Sequence, residues 1–184
     1  MLVTYIELVD LIDQGMIVGK DGNTIPVSNI NGASVDITIG KYLLYEERKG
    51  RIVDLSQKES TNMSQVDLVD SPYILKPNEF ALVQSYEIFN LPNDIAFIYK
   101  LKSSQSRSGL DAANAGFADP GWNGSVLTIH LKNNTQDHSF VIKSGMKLGQ
   151  CVFFRGKAVP NEESYAVRGQ YNNDKIVTSN KGVR

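Results

Sequence analysis

Short stretches rich in Val, Ile, Tyr and Phe recur at residues 34–39, 41–45, 80–85, 96–101, 125–131 and 150–154, and clusters of Gly, Pro, Asn and Asp separate them. β-Branched and aromatic side chains suit a pleated, half-buried surface. Each run is too short for an ordinary helix, and the breakers between runs suit turns. Many short strands at fairly regular spacing predict a mainly β fold, a sandwich or barrel. Residues 4–14 are the exception. Tyr5, Leu8, Val9 and Ile12 recur at helical spacing, Thr4 with Glu7 fits a capping box, and Gly15 fits a helix stop. One short N-terminal helix is therefore expected to lay an apolar stripe on the sheet. Residues 54–71 are polar and weakly patterned, and are expected to form a surface excursion.

The chain has 184 residues, enough for one domain with a real core. Its 19 basic and 20 acidic residues give a net charge of −1, which argues against a general nucleic-acid binder. Any anion site must then be local. A single cysteine, Cys151, cannot form an internal disulfide. No run approaches a membrane span and no secretory signal is visible, so a soluble cytoplasmic protein without a membrane partner is expected. Two His and one Cys, far apart, give no zinc-ligand spacing, and no phosphate-binding Gly-x-x-x-x-Gly-Lys loop occurs.

The densest chemistry lies between residues 102 and 124. Lys102, Ser103, Ser104 and Arg107 place two hydroxyls and two cations within one bend, a set that can hold phosphate oxygens from several directions. Asp119-Pro-Gly follows on a turn that can aim a carboxylate into a cleft. Both stretches would also serve as plain turns between strands. In residues 125–132, Leu127, Ile129 and Leu131 share one face by alternation, while Val126, Thr128, His130 and Lys132 share the other. His130 therefore lies on the more polar face, which suits either a ligand contact or an inert histidine. His138 falls in a polar loop.

Taken in order, several motifs resemble those of the trimeric dCTP deaminases and their dUTPase relatives. Residues 30–40 (Ile-Asn-Gly-Ala-Ser-Val-Asp-Ile-Thr-Ile-Gly) resemble the family's Asn-Gly-Ala-(Ser/Thr)-x-Asp segment, and residues 75–82 its Leu-x-Pro-Gly-Glu-x-x-Leu stretch. Lys102-Ser-Ser-x-x-Arg-x-Gly-Leu110 resembles Arg-Ser-Ser-x-x-Arg-x-Gly-Leu; Asp119-Pro-Gly-Trp-x-Gly124 and Gly145-Met-x-x-Gly149 follow. The resemblance implies a distorted β-barrel or jelly roll over residues 1–160, with a C-terminal tail, 161–184, that is disordered on its own and can close over a ligand. It implies a homotrimer with active sites between subunits and a deoxynucleoside triphosphate, dCTP or dUTP, bound with Mg. It further implies that no zinc is used.

By the same resemblance, Lys102, Ser103, Ser104 and Arg107 would hold the phosphates, with Arg107 also orienting a catalytic water. Asp119 would sit by the deoxyribose; its dUTPase counterpart positions water against the α-phosphate. Ala115 would contact the base through its backbone, Trp122 would lie against the sugar, and Asp36 would support the water shell of the metal without ligating it. Tyr165, Arg168, Gln170 and Tyr171 match tail motifs, with Gln170 in place of a lysine, and Lys175 is a weaker match to the closing lid.

Two departures stand out. Lys102 replaces an arginine, keeping charge and losing the bidentate fork. The deaminases also carry a catalytic glutamate on the strand after Pro-Gly-Trp-x-Gly. Counting forward from Gly124 places it at Ile129, counting back from Asn133 places it at His130, and strand parity favours His130. Three expectations follow: zinc-independent deamination of dCTP to dUTP with His130 as the base; a dUTP or dCTP diphosphatase using Asp119 and Mg; or a non-catalytic nucleotide-binding protein.

Overall fold

The computed structural model describes residues 1–47, 49–112 and 116–182. Helix α1 spans Tyr5–Asp13 and buries Leu8, Leu11 and Ile12. Its stripe is shifted from expectation, since Tyr5 is exposed and Leu11 takes the inner place. The capping box does not form: Thr4 makes no side-chain cap bond, and Glu7 pairs instead with Arg155 at 2.6 Å. At the other end Gly15 adopts φ +86°, and the Met16 amide donates to the Leu11 carbonyl at 3.0 Å. That bond, from the residue after a left-handed glycine back into the last turn, is a Schellman stop.

The strands are β1 (Ile17–Val18), β2 (Val35–Glu46), β3 (Met63–Asp67), β4 (Tyr73–Leu75), β5 (Phe80–Asn90), β6 (Ile95–Leu101), β7 (Leu110–Asp111), β8 (Phe117–Ala118), β9 (Asn123–Asn133), β10 (Phe140–Ile142) and β11 (Lys147–Arg155). A sheet runs β7-β9-β5-β2-β11-β6-β8, with β1 added on β5 and β3 on β2, while β4 and β10 form a separate pair. All ladders are antiparallel. The sheet curls because β2 changes partners along its length: residues 35–38 pair with β11, and residues 39–45 with β5. Gly40 sits at that change, where a Cβ would lie 2.6 Å from the Ser85 carbonyl oxygen.

The two runs expected on either side of Gly40 are thus one strand. The expected surface excursion contains β3, whose ladder to β2 is made by backbone groups and so leaves little apolar signature. Inside the curl, Phe97 lies at ring–ring distances of 5.0, 5.8 and 5.4 Å from Phe89, Trp122 and Phe153. Fully burying one such ring stabilises by ~1.5–3 kcal/mol. Among the described residues no helix is long and apolar enough to cross a membrane.

Candidate nucleotide site

A cavity of about 540 Å³ opens on the outer face of β9 and β5. Alternation along β9 decides which side chains reach it. Ile129 and Leu131 are buried in the core and stay out of it, Leu127 is buried but borders it, and Thr128 and His130 project into it. Ile129, at 2 % exposure, is therefore a packing residue, and His130 is the one available to a ligand. Its ring stacks on Phe80 at 6.3 Å, and burial pushes its imidazole pKa below the ordinary value, favouring the neutral, proton-accepting form.

Asp119, Trp122, Tyr165 and Tyr171 line the same cavity, and Phe80, Leu82, Met63 and Val126 supply apolar wall. Trp122 is mostly a core residue: its ring stacks on Phe89 at 5.4 Å, leaving 7 % of the residue exposed. A smaller cavity of about 250 Å³ on the far side of Asp119 and Tyr165 is rimmed by Glu163 and Arg168, which pair with each other. Burial raises the Tyr165 phenol pKa, and the Asp119 charge adds to the effect.

The tail packs against its own chain. Trp122 Nε1 and Ser125 Oγ both donate to the Tyr171 carbonyl, at 2.7 and 2.9 Å, and the Val126 amide donates to the Asp174 carbonyl at 2.8 Å. Further on, the Val177 amide donates to Gln84 Oε1 at 3.2 Å, and its side chain, 2 % exposed, packs with Leu44 and Leu82. Lys181 then bridges back to Asp174 at 2.6 Å and lies 5.0 Å over the Tyr171 ring. Three tail residues matched from the resemblance stay outside the cavity: Arg168 pairs with Glu163, Lys175 donates to the Gly124 carbonyl at 2.6 Å, and the Gln170 carbonyl accepts from Lys181 at 3.2 Å. Asp174 and Thr178, which sequence reasoning missed, do line it. Thr128 was legible from its shared parity with His130; Asp174 carried no such signal.

The expected phosphate cradle lies elsewhere. Ser103–Arg107 form a short helix, α2, whose serines and Arg107 are exposed, and none of them lines the cavity. Among the described residues Arg107 has no ion-pair partner, whereas Lys102 is committed: its ammonium lies 2.5 Å from Asp36 Oδ1. Lys147 approaches the other oxygen at 3.3 Å, and Asn31 donates to Oδ1 at 2.9 Å. Burial works to raise the Asp36 pKa, but the hydrogen bonds from Lys102 and Asn31 outweigh it and hold the carboxyl below its usual range. Asp36 is thus a counter-ion shared by two lysines. Ala115 lies outside the described residues. His138 contributes only its carbonyl, which accepts from the buried Asn133 side chain at 2.8 Å.

The cavity thus joins a half-buried imidazole and a carboxylate to an apolar wall, with a cationic turn outside it. Residues 3–156 match the model of the dCTP deaminase-like family, and the chain belongs to it. The chain is 36% identical over 140 residues to a protein of Beutenbergia cavernae named "dCTP deaminase, dUMP-forming", covering 74% of this chain and 71% of that one. A relative of the same name from Pseudarthrobacter chlorophenolicus is 40% identical over 132 residues, covering 68% and 66%. Among solved structures, the 2'-deoxycytidine 5'-triphosphate deaminase from Agrobacterium tumefaciens superposes with a TM-score of 0.67 over 88% of this chain and 50% of that one. At 20% identity that likeness shows the shared β fold.

Proposed function

We propose that this protein deaminates dCTP and carries the product on to dUMP, with His130 and Asp119 acting in one cavity. The observation that carries this reading is their joint placement on the lining of the same 540 Å³ space. Neutral His130 takes a proton from water as the oxygen bonds to C4 of cytosine and passes it to N3 as the C4=N3 double bond opens; it then carries the remaining hydroxyl proton to the amine, so that ammonia leaves and a uracil carbonyl remains. Asp119 orients a second water toward the α-phosphate; the new P–O bond replaces the bond to the β-phosphate, and pyrophosphate leaves. The dUTP expected as product from sequence becomes dUMP in this reading, because the named relatives are dUMP-forming.

The cradle of Ser103, Ser104 and Arg107 does not reach this cavity in one chain, which supports a site completed by a neighbouring copy, and so a homotrimer. Among the described residues no cluster of three or more His, Cys, Asp or Glu is placed to hold a metal. Mg carried on the triphosphate oxygens would neutralise phosphate charge.

The test is incubation with Mg and dCTP or dUTP, with nucleotides resolved by chromatography and ammonia and pyrophosphate assayed. Ammonia, dUMP and pyrophosphate from dCTP are expected. A second reading, a diphosphatase without deamination, is favoured by Asp119 alone, since β9 carries no glutamate where the resemblance leads one to expect it. Pyrophosphate release without ammonia selects it. Accumulated dUTP would overturn the dUMP assignment.

A further inference from the structure

We propose that Phe80 is the positioning residue of the His130 base and that Val177, in the tail, holds Phe80 in place; this rests on the deaminase reading above. A histidine that moves protons ordinarily has its ring and tautomer fixed by a hydrogen bond on the second nitrogen. Among the described residues neither ring nitrogen of His130 has a hydrogen-bond or ion-pair partner. The charged and phenolic groups around it are Asp119, Tyr165, Tyr171 and Asp174 on the cavity lining, Lys132 on its own strand and Glu46 at the end of β2. Lys132 is turned to the Asn78 carbonyl, and burial alone perturbs the imidazole. Packing must therefore fix the ring.

The β5–β9 register sets Leu82 directly opposite His130 and Phe80 opposite Lys132, one diagonal step away. Diagonal neighbours on one face of an antiparallel pair lie within reach of aromatic side chains. Here the Phe80 ring stacks on the imidazole, with centroids 6.3 Å apart and planes inclined by 23°. Two effects of such a ring oppose each other. Its face attracts a cation, which favours imidazolium, and its bulk keeps water off, which favours the neutral ring. The attraction matters within about 6 Å of the ring centre, so water exclusion wins. The lowered His130 pKa, with burial as its cause, agrees. Phe80 is itself only half-buried and needs support. Leu44, Leu82 and Val177 form an apolar cluster apart from the main core, and Phe80, Met63 and Tyr42 pack against it. The Val177 amide is fastened to Gln84 Oε1 at 3.2 Å, two residues along β5 from Leu82. Contacts thus run from Val177 through this cluster and Phe80 to His130, and seating of the tail bears on the orientation of the base.

The experiment is an NMR titration of the two imidazoles in the full-length protein without nucleotide, paired with steady-state ammonia release from Mg-dCTP. His138, exposed in its loop, is the internal control. In Phe80→Ala the His130 pKa rises toward the ordinary value of about 6.5, His138 is unchanged, and the acidic limb of ammonia release moves up with His130. The kcat falls about tenfold, part of the roughly 10²–10⁴ that a positioned acid–base group supplies, while KM for dCTP stays within a few-fold. Phe80→Tyr, which keeps the ring, restores both readouts, and Val177→Ala shifts the His130 titration the same way by less. A His130 titration unmoved in both Phe80→Ala and Val177→Ala overturns the positioning role alone, as does a Phe80→Tyr variant that loses as much kcat as Phe80→Ala. A shift in Phe80→Ala but not in Val177→Ala removes the tail from the assignment. Where Phe80→Ala does not fold, Val177→Ala decides by the same shift. A wild-type protein that releases no ammonia from dCTP overturns the deaminase reading, and the nucleotide-free titration still decides whether Phe80 sets the imidazole.

Discussion

The Trp122 indole donates at 2.7 Å to the Tyr171 carbonyl, a residue 49 positions later, so the core aromatic cluster holds the tail over the cavity directly. Ser125 Oγ donates to the same carbonyl at 2.9 Å. Replacing both donors, as Trp122→Phe with Ser125→Ala, leaves a partly buried carbonyl without these partners, a loss of ~1–3 kcal/mol. Amide exchange of residues 171–182 is expected to quicken while that of β5 and β9 stays slow. Tail exchange as slow as in the wild type would mean that other contacts hold the tail.

A His130 base predicts a specific pH profile. Burial lowers its pKa below the ordinary value of about 6.5, so the neutral form persists to lower pH than for a free histidine. The acidic limb of ammonia release should therefore fall below about pH 6.5. His130→Ala should abolish ammonia release while tripolyphosphate affinity stays within a few-fold. Ammonia release that survives this substitution would remove His130 from the chemistry.

The strands were legible because inward residues alternate with outward ones, and the same parity distinguished Ile129 from His130. β3 was not, because an edge strand held by backbone bonds needs no apolar alternation. The order of the tail was hidden for a similar reason: its partners are carbonyls, Ser125 and Gln84 on distant strands, and its own composition is hydrophilic. The pairing of Lys102 with Asp36 spans 66 residues. Motif spacing could place Lys102 beside two serines, but it could not say that its charge is already taken.

If Asp119 serves only the second step, Asp119→Asn should separate the two reactions. The amide keeps the shape and loses the negative charge that orients water. Ammonia is expected to form from dCTP at near wild-type rate, with dUTP accumulating and pyrophosphate release falling by two orders of magnitude or so, on the scale of one general acid–base group. Equal loss of ammonia and pyrophosphate would show that Asp119 acts in nucleotide binding instead.

Glu87 carries a separate pH dependence. It is fully buried, and both carboxyl oxygens accept from the Thr38 amide, at 3.1 and 3.0 Å, where β5 breaks register with β9. Burial pushes its pKa up to about 7, against the lowering effect of that amide and of the Lys147 charge; Tyr99 and Cys151 lie on its other sides. Because the folded pKa exceeds the unfolded one, the folded protein binds more protons between about pH 4.5 and 7. Stability is then greatest below this window, declines as pH rises through it, and is flat above. The full span is at most about 3 kcal/mol. His130 contributes the opposite slope just below about pH 6.5, so the comparison must be between wild type and Glu87→Gln rather than within one profile. Urea unfolding from pH 5 to 9 should show the wild type losing stability relative to Glu87→Gln up to about pH 7, with a constant difference beyond it. Parallel curves across the whole range would mean that Glu87 is ionised in the folded protein throughout.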